Sequence, residues 1–368
     1  MKFVCSQSVL AKAVSTVSRA VSVKTTMPVL KGILLSVKDD VLTLTSSNLD
    51  LSLETTVDIQ GGEDGAAVVN ARLFGDIIRK LPNAMVKAEL DKTGNLNISC
   101  LGSDFSLVSL PAEDFPSIGI VEAEEKLSFG RELLAGLIEK TSFAASIDEK
   151  KGVLVGCLIK LSKDNIEMAA LDGFRLAVAK EAVISDKERS IIVPARSLSE
   201  ISKILSESVC DDILLMTDSK KAEIKCDSTR IIARLLEGDF IKYGDIIPKT
   251  YKTKITVNRA ELMSSIERAS LLAKEGKNNL IKLSVSGNSV VINSRSEEGN
   301  VNEAVDAEIE GEDIVIGFNS KYINDALKAV NDEEICMEMT SPVSASLIKP
   351  VEGDKYTYLV LPVRINAY

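Results

Sequence analysis

Histidine and tryptophan are both absent from this chain of 368 residues. The lack of histidine removes the commonest general base and the commonest metal ligand. The lack of tryptophan, with an aromatic content of only 4%, argues against stacking on the bases of single-stranded nucleic acid. The sequence also contains neither a GxxxxGK(S/T) phosphate loop nor a GxGxxG fingerprint. These absences disfavour the common classes of enzyme and predict no cofactor.

Long apolar runs and closely spaced cysteines are missing as well. No apolar run approaches the ~20 residues of a membrane span, and Lys12 and Arg19 interrupt the segment where a signal peptide would be apolar. The six cysteines occur without a CxxC pair, which favours buried thiols in a reducing cytoplasm over disulfides or zinc ligands. We therefore expect a cytoplasmic protein without a metal site.

The composition indicates folded domains but leaves their number open. The chain is 45% hydrophobic and 27% charged with only 9 prolines, so it can bury its apolar residues in compact domains, and its length suggests two or three of them. The net charge of −10 argues against nucleic acid unless the cations are concentrated on one surface.

An internal repeat resolves the domain number. A short apolar strand, a turn and an amphipathic helix recur three times, and alignment of Ala71 with Ala195 and with Asn319 gives two intervals of 124 residues. Gly32 and Gly156, in a second set of similar segments, are also 124 residues apart. The three segments of the first set are VVNARLFGDIIRKLP (68–82), IVPARSLSEISKIL (192–205) and IGFNSKYINDALKAV (316–330).

Each copy also opens with a helical pattern. Apolar residues spaced for one helix face occur at Leu10, Val14, Val17 and Val21, and the later copies repeat this with Leu134 and Ile138 and with Leu262 and Ile266. Strands with alternating apolar and polar residues lie between the helices. The sequence thus predicts an α+β unit built three times, with domains at residues 1–122, 123–250 and 251–368.

Cations recur at a spacing of seven residues in the second helix of each copy, which places each pair on one stripe. These pairs are Arg72 and Arg79, Arg196 and Lys203, and Lys321 and Lys328. The first helices add Lys12 and Arg19, Arg131 and Lys140, and Arg259 and Arg268. A single stripe of this kind is usually the charged outer face of an amphipathic helix. Three copies in an acidic protein instead favour a segregated basic face for the phosphates of duplex DNA.

Two other classes of function remain as alternatives. An enzyme built on a repeated α+β scaffold would need polar groups that converge on a pocket, and the sequence offers no such cluster beyond the surface average. A three-domain adhesion or scaffold protein is disfavoured by the missing signal peptide and by the basic stripes. Retention on nicked circular DNA, lost on linearisation, would separate a protein that encircles duplex DNA from both.

Six sequence blocks occur in order across nearly the whole chain: MPVLKGILL, FSLVSLPAEDFP, LDGFRLAV, PARSLSEI, GFNSKYINDAL and YLVLPVRI. They make the chain similar to the family of bacterial sliding clamps, the beta subunit of the replicative DNA polymerase. The resemblance implies three DNA-clamp domains per chain and a non-enzymatic, head-to-tail homodimeric ring with helices lining the hole and sheets outside. It implies partners in double-stranded DNA, a clamp loader, replicative and repair polymerases, ligase and mismatch-repair proteins.

The resemblance also implies a groove that captures short linear peptides. Without it, Leu176 and Leu361 would be taken as ordinary core residues. The positions that keep the family pattern are Leu154, Gly173, Arg175, Leu176, Ile246, Asn319, Tyr322, Leu361, Pro362, Val363 and Arg364. Departures occur where Leu171 replaces a hydroxyl, Phe174 replaces a histidine, Ile241 replaces a proline and Asp245 stands where a basic residue is common.

Two further surfaces follow. For DNA we expect Arg72, Arg79, Arg196, Lys203 and Lys321, and also Lys24, which matches a loop residue of the family. For the dimer we expect an edge strand of the first domain to meet the edge of the third domain. The expected interface residues are Phe105 and Leu107, an apolar plug of Leu271 and Leu272, and a polar rim of Glu297 and Glu298.

Overall fold

The structure, a computed structural model, describes residues 1–122, 125–185, 188–276 and 278–365. The expected domain boundary at residues 122 and 123 therefore falls partly outside the described residues. Contacts between Cα atoms divide the chain into two compact units. Unit 1 contains Met1–Ala135 and Arg196–Leu235, and unit 2 contains Gly136–Ala195 and Leu236–Tyr368.

The elements confirm a mixed helix and sheet architecture. The helices are α1 (Gln7–Ser18), α2 (Ala71–Lys80), α3 (Arg131–Thr141), α4 (Ala195–Glu207), α5 (Arg259–Ala273) and α6 (Ser320–Lys328). The strands up to the end of α3 are β1 (Lys2–Ser6), β2 (Gly32–Lys38), β3 (Val41–Ser47), β4 (Leu51–Asp58), β5 (Gln60–Glu63), β6 (Gly65–Asn70), β7 (Met85–Leu90), β8 (Asn95–Cys100), β9 (Ser103–Leu110) and β10 (Glu125–Gly130). They are followed by β11 (Gly156–Leu161), β12 (Asn165–Leu171), β13 (Arg175–Ala182), β14 (Arg189–Pro194), β15 (Asp212–Thr217), β16 (Lys221–Cys226) and β17 (Thr229–Arg234). The last are β18 (Thr253–Asn258), β19 (Leu280–Ser286), β20 (Ser289–Ser296), β21 (Gly299–Gly311), β22 (Ile314–Asn319), β23 (Glu334–Met339), β24 (Ser346–Pro350) and β25 (Tyr356–Val360).

Each unit contains one continuous antiparallel sheet. In unit 1 the strand order is β10-β15-β16-β17-β4-β3-β2-β6-β9-β8-β7-β1-β5. In unit 2 it is β14-β11-β12-β13-β25-β24-β23-β18-β21-β20-β19-β22. Alternation along the strands buries one face, as in β3, where Leu42 and Leu44 are buried and Val41 and Thr43 are partly exposed.

The helices bury the apolar stripe that the sequence predicts. Leu10, Val14 and Val17 are buried in α1, and Val21 lies beyond the end of this helix and is partly exposed. The corresponding pairs in α3 and α5, Leu134 with Ile138 and Leu262 with Ile266, are buried as well. Apolar burial of this kind stabilises by roughly 1.5–3 kcal/mol per large side chain.

The repeated strand and helix begin at equivalent residues, with one correction. In α2 and α6 the N-cap residues are Asn70 and Asn319, and each side chain accepts a backbone N–H of the first turn. Asn319 therefore corresponds to Asn70, not to Ala71, and the second interval is 125 residues instead of 124. The reason is one extra residue in the third copy between the starts of β19 and β22, compared with β11 and β14.

Gly32 and Gly156 occupy equivalent positions of the repeat at which a side chain would not fit. A Cβ on Gly32 would lie 2.8 Å from the carbonyl oxygen of Val69, and a Cβ on Gly156 would lie 2.8 Å from that of Val193. Both glycines begin a strand that pairs with the strand leading into the second helix of the copy. A side chain at either position would push these strands apart.

The expectation of free thiols throughout is wrong for one pair. Cys210 and Cys226 form a disulfide across 16 residues of sequence. The loop before β15 brings Cys210 to the end of β16, a proximity that the spacing of the two residues does not reveal. The other four, Cys5, Cys100, Cys157 and Cys336, are free and buried.

Among the described residues, no helix is both long enough and apolar enough to cross a membrane.

Candidate functional site

A tight turn in unit 2 positions the residues expected in the groove. Asp172 lies between β12 and β13, and its Oδ1 accepts the backbone N–H of Phe174 at 2.8 Å and that of Arg175 at 3.1 Å. Gly173 has φ of 95°, a left-handed conformation that glycine adopts without strain. The turn is therefore fixed by its own sequence.

Arg175 ties this turn to α6. Its side chain is 9% exposed and donates to Asp172 at 3.1 Å, to Asp325 of α6 at 2.6 Å and to the carbonyl oxygen of Phe143 at 2.6 Å. The guanidinium also lies over the ring of Tyr322, 4.7 Å from its centroid. Arg175 thus connects the turn to α6 and to Phe143.

The C-terminal segment forms one wall of the groove. Strand β25 pairs with β13, and beyond it the N–H of Leu361 donates to the carbonyl oxygen of Phe174 at 2.9 Å. The N–H of Val363 donates to the carbonyl oxygen of Gly317 at 2.8 Å, and a Cβ on Gly317 would lie 2.6 Å from the oxygen of Val363. Leu361 is 40% exposed and Arg364 is exposed, while Pro362 and Val363 are partly buried.

An apolar cluster lies beside the turn. Leu171, Leu176 and Leu359 are buried in it, and Leu154 packs against it from the side. Ile246, which the sequence predicted for this surface, is 48% exposed, whereas its neighbour Ile247 packs on the cluster. Ile247 was missed because nothing in two adjacent isoleucines tells which one faces inward.

Two aromatic rings lie at the rim. Phe174, which is 54% exposed, stacks on Tyr322 with centroids 6.2 Å apart, and Lys151 places its Nζ 5.5 Å from the centroid of Phe174. Partial burial and the charge of Asp172 raise the pKa of Tyr322, so its phenol is neutral at physiological pH. Phe174 was named only as a departure from the family, yet it adds apolar area to the rim. Asn319 serves as the N-cap of α6 through its side chain.

The expected DNA residues occupy equivalent places on the second helices. Arg72, Arg196 and Lys321 are each the second residue of their helix, and all three are exposed. Lys24 is exposed in the loop after α1. At the ninth helical position stand Arg79, Lys203 and Lys328, which pair with Asp76 at 3.2 Å, Glu200 at 2.7 Å and Glu267 at 2.7 Å. The shifted register of the third copy thus brings its cations into line with the other two.

The cations at the start of the first helices bind backbone carbonyl oxygens, and in this they differ from the cations of the second helices. Arg131 donates to the carbonyl oxygen of Leu205 and Arg259 to that of Leu327, both near the C-terminal end of a second helix. In the first copy Gln7 makes the same contact with Ile78, at 2.7 Å. These three residues each open their helix and satisfy orphan carbonyls, so the interpretation of Arg131 and Arg259 as a basic outer stripe is wrong.

Ion pairs neutralise several of the remaining first-helix cations. Arg19 pairs with Glu207 at 2.5 Å, Lys140 with Glu181 at 2.8 Å and Arg268 with Glu303 at 2.5 Å. The hydrogen bonds from Arg268 also lower the pKa of the Glu303 carboxyl, which stays ionised. The cations at the second position of the second helices, Arg72, Arg196 and Lys321, differ in that all three are exposed.

The expected dimer residues lie on strand β9, in helix α5 and in a turn of unit 2. Strand β9 pairs with β8 over residues 103–108, but with β6 only at residues 109 and 110. Phe105 is 41% exposed on this edge, and Leu107 is buried. Val108, which the sequence did not single out, is 79% exposed.

The other expected dimer residues belong to unit 2. In α5, Leu271 is 67% exposed and Leu272 is partly exposed. Glu297 and Glu298 form the exposed turn between β20 and β21. Within the described part of unit 2, strand β22 pairs with no strand other than β19, and the N–H of Val363 contacts its other edge at Gly317.

Models of three domains of one protein family match the chain, in the order in which the domains follow one another. They are the N-terminal domain of the DNA polymerase III beta subunit at residues 1–119, the central domain at 129–242 and the C-terminal domain at 244–364. Curated relatives named "Beta sliding clamp" match at similar length: that of Staphylococcus epidermidis is 34% identical over 99% of both chains. The chain belongs to the beta sliding clamp family. It therefore contains three DNA-clamp domains, and the resemblance found in the sequence is confirmed.

Solved structures of the clamp family agree with this assignment. The DNA polymerase sliding clamp of Bacillus subtilis is 34% identical and covers the whole of both chains, with a TM-score of 0.94. A DnaN sliding clamp from Pseudomonas aeruginosa bound to griselimycin is 26% identical, with a TM-score of 0.93 over 99% of this chain. The sliding-clamp function that the sequence predicted, as part of DNA polymerase III, is confirmed at this level.

Proposed function

We propose that this clamp is a non-catalytic processivity factor that closes around duplex DNA and tethers the replicative polymerase to it. Two chains join head to tail, so that six domains form a ring with helices on the inside and sheets outside. The domains are residues 1–122, 123–250 and 251–368. The protein works in the cytoplasm, where a clamp loader opens the ring, and repair polymerases, ligase and mismatch-repair proteins use it in turn.

The observation that carries this proposal is the repeated cation on the second helices. Arg72, Arg196 and Lys321 stand at one helical position in three diverged copies, in a chain whose net charge is −10. Contact with phosphates requires charge at regular places and no base-specific side chain. The acidic remainder of the protein repels other contacts with DNA and so favours sliding.

Charge reversal on the second helices tests the DNA face. The triple variant Arg72→Glu, Arg196→Glu and Lys203→Glu should reduce the amount of clamp held on circular DNA, because each lost phosphate contact removes one increment of counterion release. The slope of log K against log salt should fall by about 0.9 for each contact. A filter-binding titration from low to moderate salt measures it.

A matched control variant separates the effect of where the charges lie from the effect of the net charge. Lys38, Lys92 and Lys126 are exposed lysines outside the helices, and their replacement by Glu changes the net charge by the same amount. This control should bind DNA nearly as the parent does. Equal losses in the two triple variants would mean that the second helices do not face DNA.

The dimer contact is tested by removing its apolar plug. Leu271→Ala with Leu272→Ala should yield monomers in sedimentation, since each leucine buried at an interface contributes roughly 1.5–3 kcal/mol. Val343→Ala with Val351→Ala, at exposed positions of the same unit, serves as the control and should remain dimeric. A plug variant that sediments as a stable dimer would place the interface elsewhere.

The groove of unit 2 is proposed as the docking site for partner peptides. Its floor is the apolar cluster around Leu176, its rim carries Phe174 and Tyr322, and its wall is the segment from Leu361 to Arg364. Such a groove suits an extended peptide with two or three apolar anchors and a polar side chain such as glutamine. A partner peptide should bind this groove weakly, with a dissociation constant in the micromolar range, which corresponds to a binding free energy of ~8 kcal/mol.

A further inference from the structure

A cavity of about 270 Å³ in unit 1 has the same backbone framework as the groove of unit 2. The turn Asn48–Leu51 lies between β3 and β4, as the turn Asp172–Arg175 lies between β12 and β13. The Oδ1 of Asn48 accepts the backbone N–H of Asp50 at 3.0 Å and that of Leu51 at 2.8 Å. Asp172 accepts the N–H groups of the corresponding two residues in unit 2.

The wall of the cavity is also equivalent. The N–H of Arg234 donates to the carbonyl oxygen of Asp50 at 2.8 Å, as the N–H of Leu361 donates to that of Phe174 at 2.9 Å. Strand β17 pairs with β4 so that Ile232 faces Ser52, as Leu359 faces Leu176 between β25 and β13. The cavity is therefore a second copy of the groove framework, formed by unit 1 alone.

Its chemistry differs from that of the groove. Arg234 stands at the position of Leu361, and Lys220 and Lys221 line the cavity beside it. Across the described residues these three side chains have no ion-pair partner, and Asp50 is the one carboxylate of the lining. The Nζ of Lys221 lies 2.8 Å from the point where a Cβ on Gly119 would stand, so this glycine leaves room for the ammonium group.

Apolar area accompanies the cations. Leu49 occupies the position of Gly173 and has φ of 77°, a left-handed conformation that strains a non-glycine residue. Its side chain is nevertheless 55% exposed at the cavity. Ile118 and Ile232 add an apolar floor, because both belong to the cluster with Val121. A strained, exposed leucine beside unpaired cations indicates a surface that is complete only with a ligand.

We propose that this cavity is a second peptide-docking site, specific for a short acidic segment of a partner protein. One apolar side chain packs on Leu49 and Ile118, and flanking carboxylates bind Lys220, Lys221 and Arg234. The analogy with a peptide site rests on the proposed function of the groove in unit 2, whereas the charges belong to the cavity itself. The apolar floor favours a peptide, which can offer an apolar side chain, over a nucleic acid backbone, which cannot.

The test uses the full-length protein and a fluorescein-labelled hexapeptide, Asp-Glu-Leu-Leu-Asp-Glu, in fluorescence anisotropy. The variant with Lys220→Glu, Lys221→Glu and Arg234→Glu should bind this probe at least tenfold more weakly than the parent. A neutral variant with Gln at the three positions should show an intermediate loss of affinity. It provides the binding measurement if the charge-reversal variant does not fold. The control triple at Lys38, Lys92 and Lys126 should bind as the parent does.

Three results would overturn the proposal: equal affinity of the parent and both cavity variants, equal affinity for the uncharged probe Asn-Gln-Leu-Leu-Asn-Gln, or loss of the acidic probe on deletion of the chain from Leu361 onward. Binding of a single-stranded oligonucleotide in place of the probe, lost in the cavity variants, would also overturn it and assign the site to nucleic acid. A polymerase-derived glutamine peptide tests the groove separately. If that peptide fails to bind while the acidic probe binds the cavity, the groove assignment is wrong and the cavity assignment stands.

Discussion

Deletion of the chain from Leu361 onward is expected to abolish binding of a polymerase-derived peptide while the clamp remains dimeric. The deleted segment forms the wall of the groove, and two backbone hydrogen bonds hold it there, from Leu361 to Phe174 and from Val363 to Gly317. Without the wall, the apolar anchors of a peptide would pack on the floor alone. Each anchor that loses its burial costs roughly 1.5–3 kcal/mol, so affinity should fall at least a hundredfold.

Fluorescence anisotropy measures this loss, and point variants guard against a folding defect. Leu154→Ala with Leu361→Ala keeps the backbone of the wall and should weaken binding by one to two orders of magnitude. Val351→Ala, at an exposed position of the same unit outside the groove, is the matched control and should change affinity little. Undiminished binding by the truncated protein would show that partners dock elsewhere, and that Phe174 and Asp245 mark a groove which this clamp does not use.

Replacement of Arg175 by Met should destabilise the groove by ~3 kcal/mol. The substitution keeps most of the apolar stem but leaves Asp172 and Asp325 without their cation, and loss of one partner from a largely buried ion pair costs about 3–5 kcal/mol. We take the lower end because Asp325 is 27% exposed and therefore partly solvated. The effect should be local, since the contacts of Arg175 join the turn to α6 and to Phe143.

Hydrogen–deuterium exchange resolves this effect in a protein of several domains, where a single unfolding transition is not assured. The amides of residues 172–176 and of Leu361 and Val363 should exchange about a hundredfold faster in Arg175→Met, while those of β1 to β9 keep their protection. The double variant with Asp325→Asn should recover part of the loss, because it removes the unpaired carboxylate. Unchanged protection of the turn in the single variant would contradict the structural role of Arg175.

The repeat, the helix faces and the family could be predicted because they depend on periodicity and on long ordered blocks. Leu10, Val14 and Val17 form a buried face that spacing alone identifies. The one-residue shift at Asn319 could not be seen, since the apolar strand before it aligns equally well in either register. It became clear only from the N-cap contact of Asn319, which matches that of Asn70.

Contacts distant in sequence account for the predictions that were wrong or incomplete. The sequence suggests the same basic role for Arg131 and Arg259 as for Arg72, because each lies near the start of an amphipathic helix that carries a second cation. Only the fold shows that the first two donate to carbonyl oxygens of another helix. The same limit applies to the disulfide of Cys210 and Cys226.

The cavity of unit 1 was missed for a different reason. Its framework repeats that of the groove, but the side chains that define it differ in type, with Arg234 at the position of Leu361 and Leu49 at that of Gly173. A search for residues that keep the family pattern passes over such a site. Comparison of backbone hydrogen bonds between copies finds it, because the turn geometry persists after the side chains have changed.

Topological retention on DNA is the measurement that tests the central proposal most directly. Clamp loaded onto nicked circular duplex should remain bound at a salt concentration that removes proteins held by charge alone. Cutting the circle once should release it, since a closed ring can slide off a free end. Loss from the intact circle at that salt concentration, or retention after linearisation, would contradict the proposal that this protein encircles DNA.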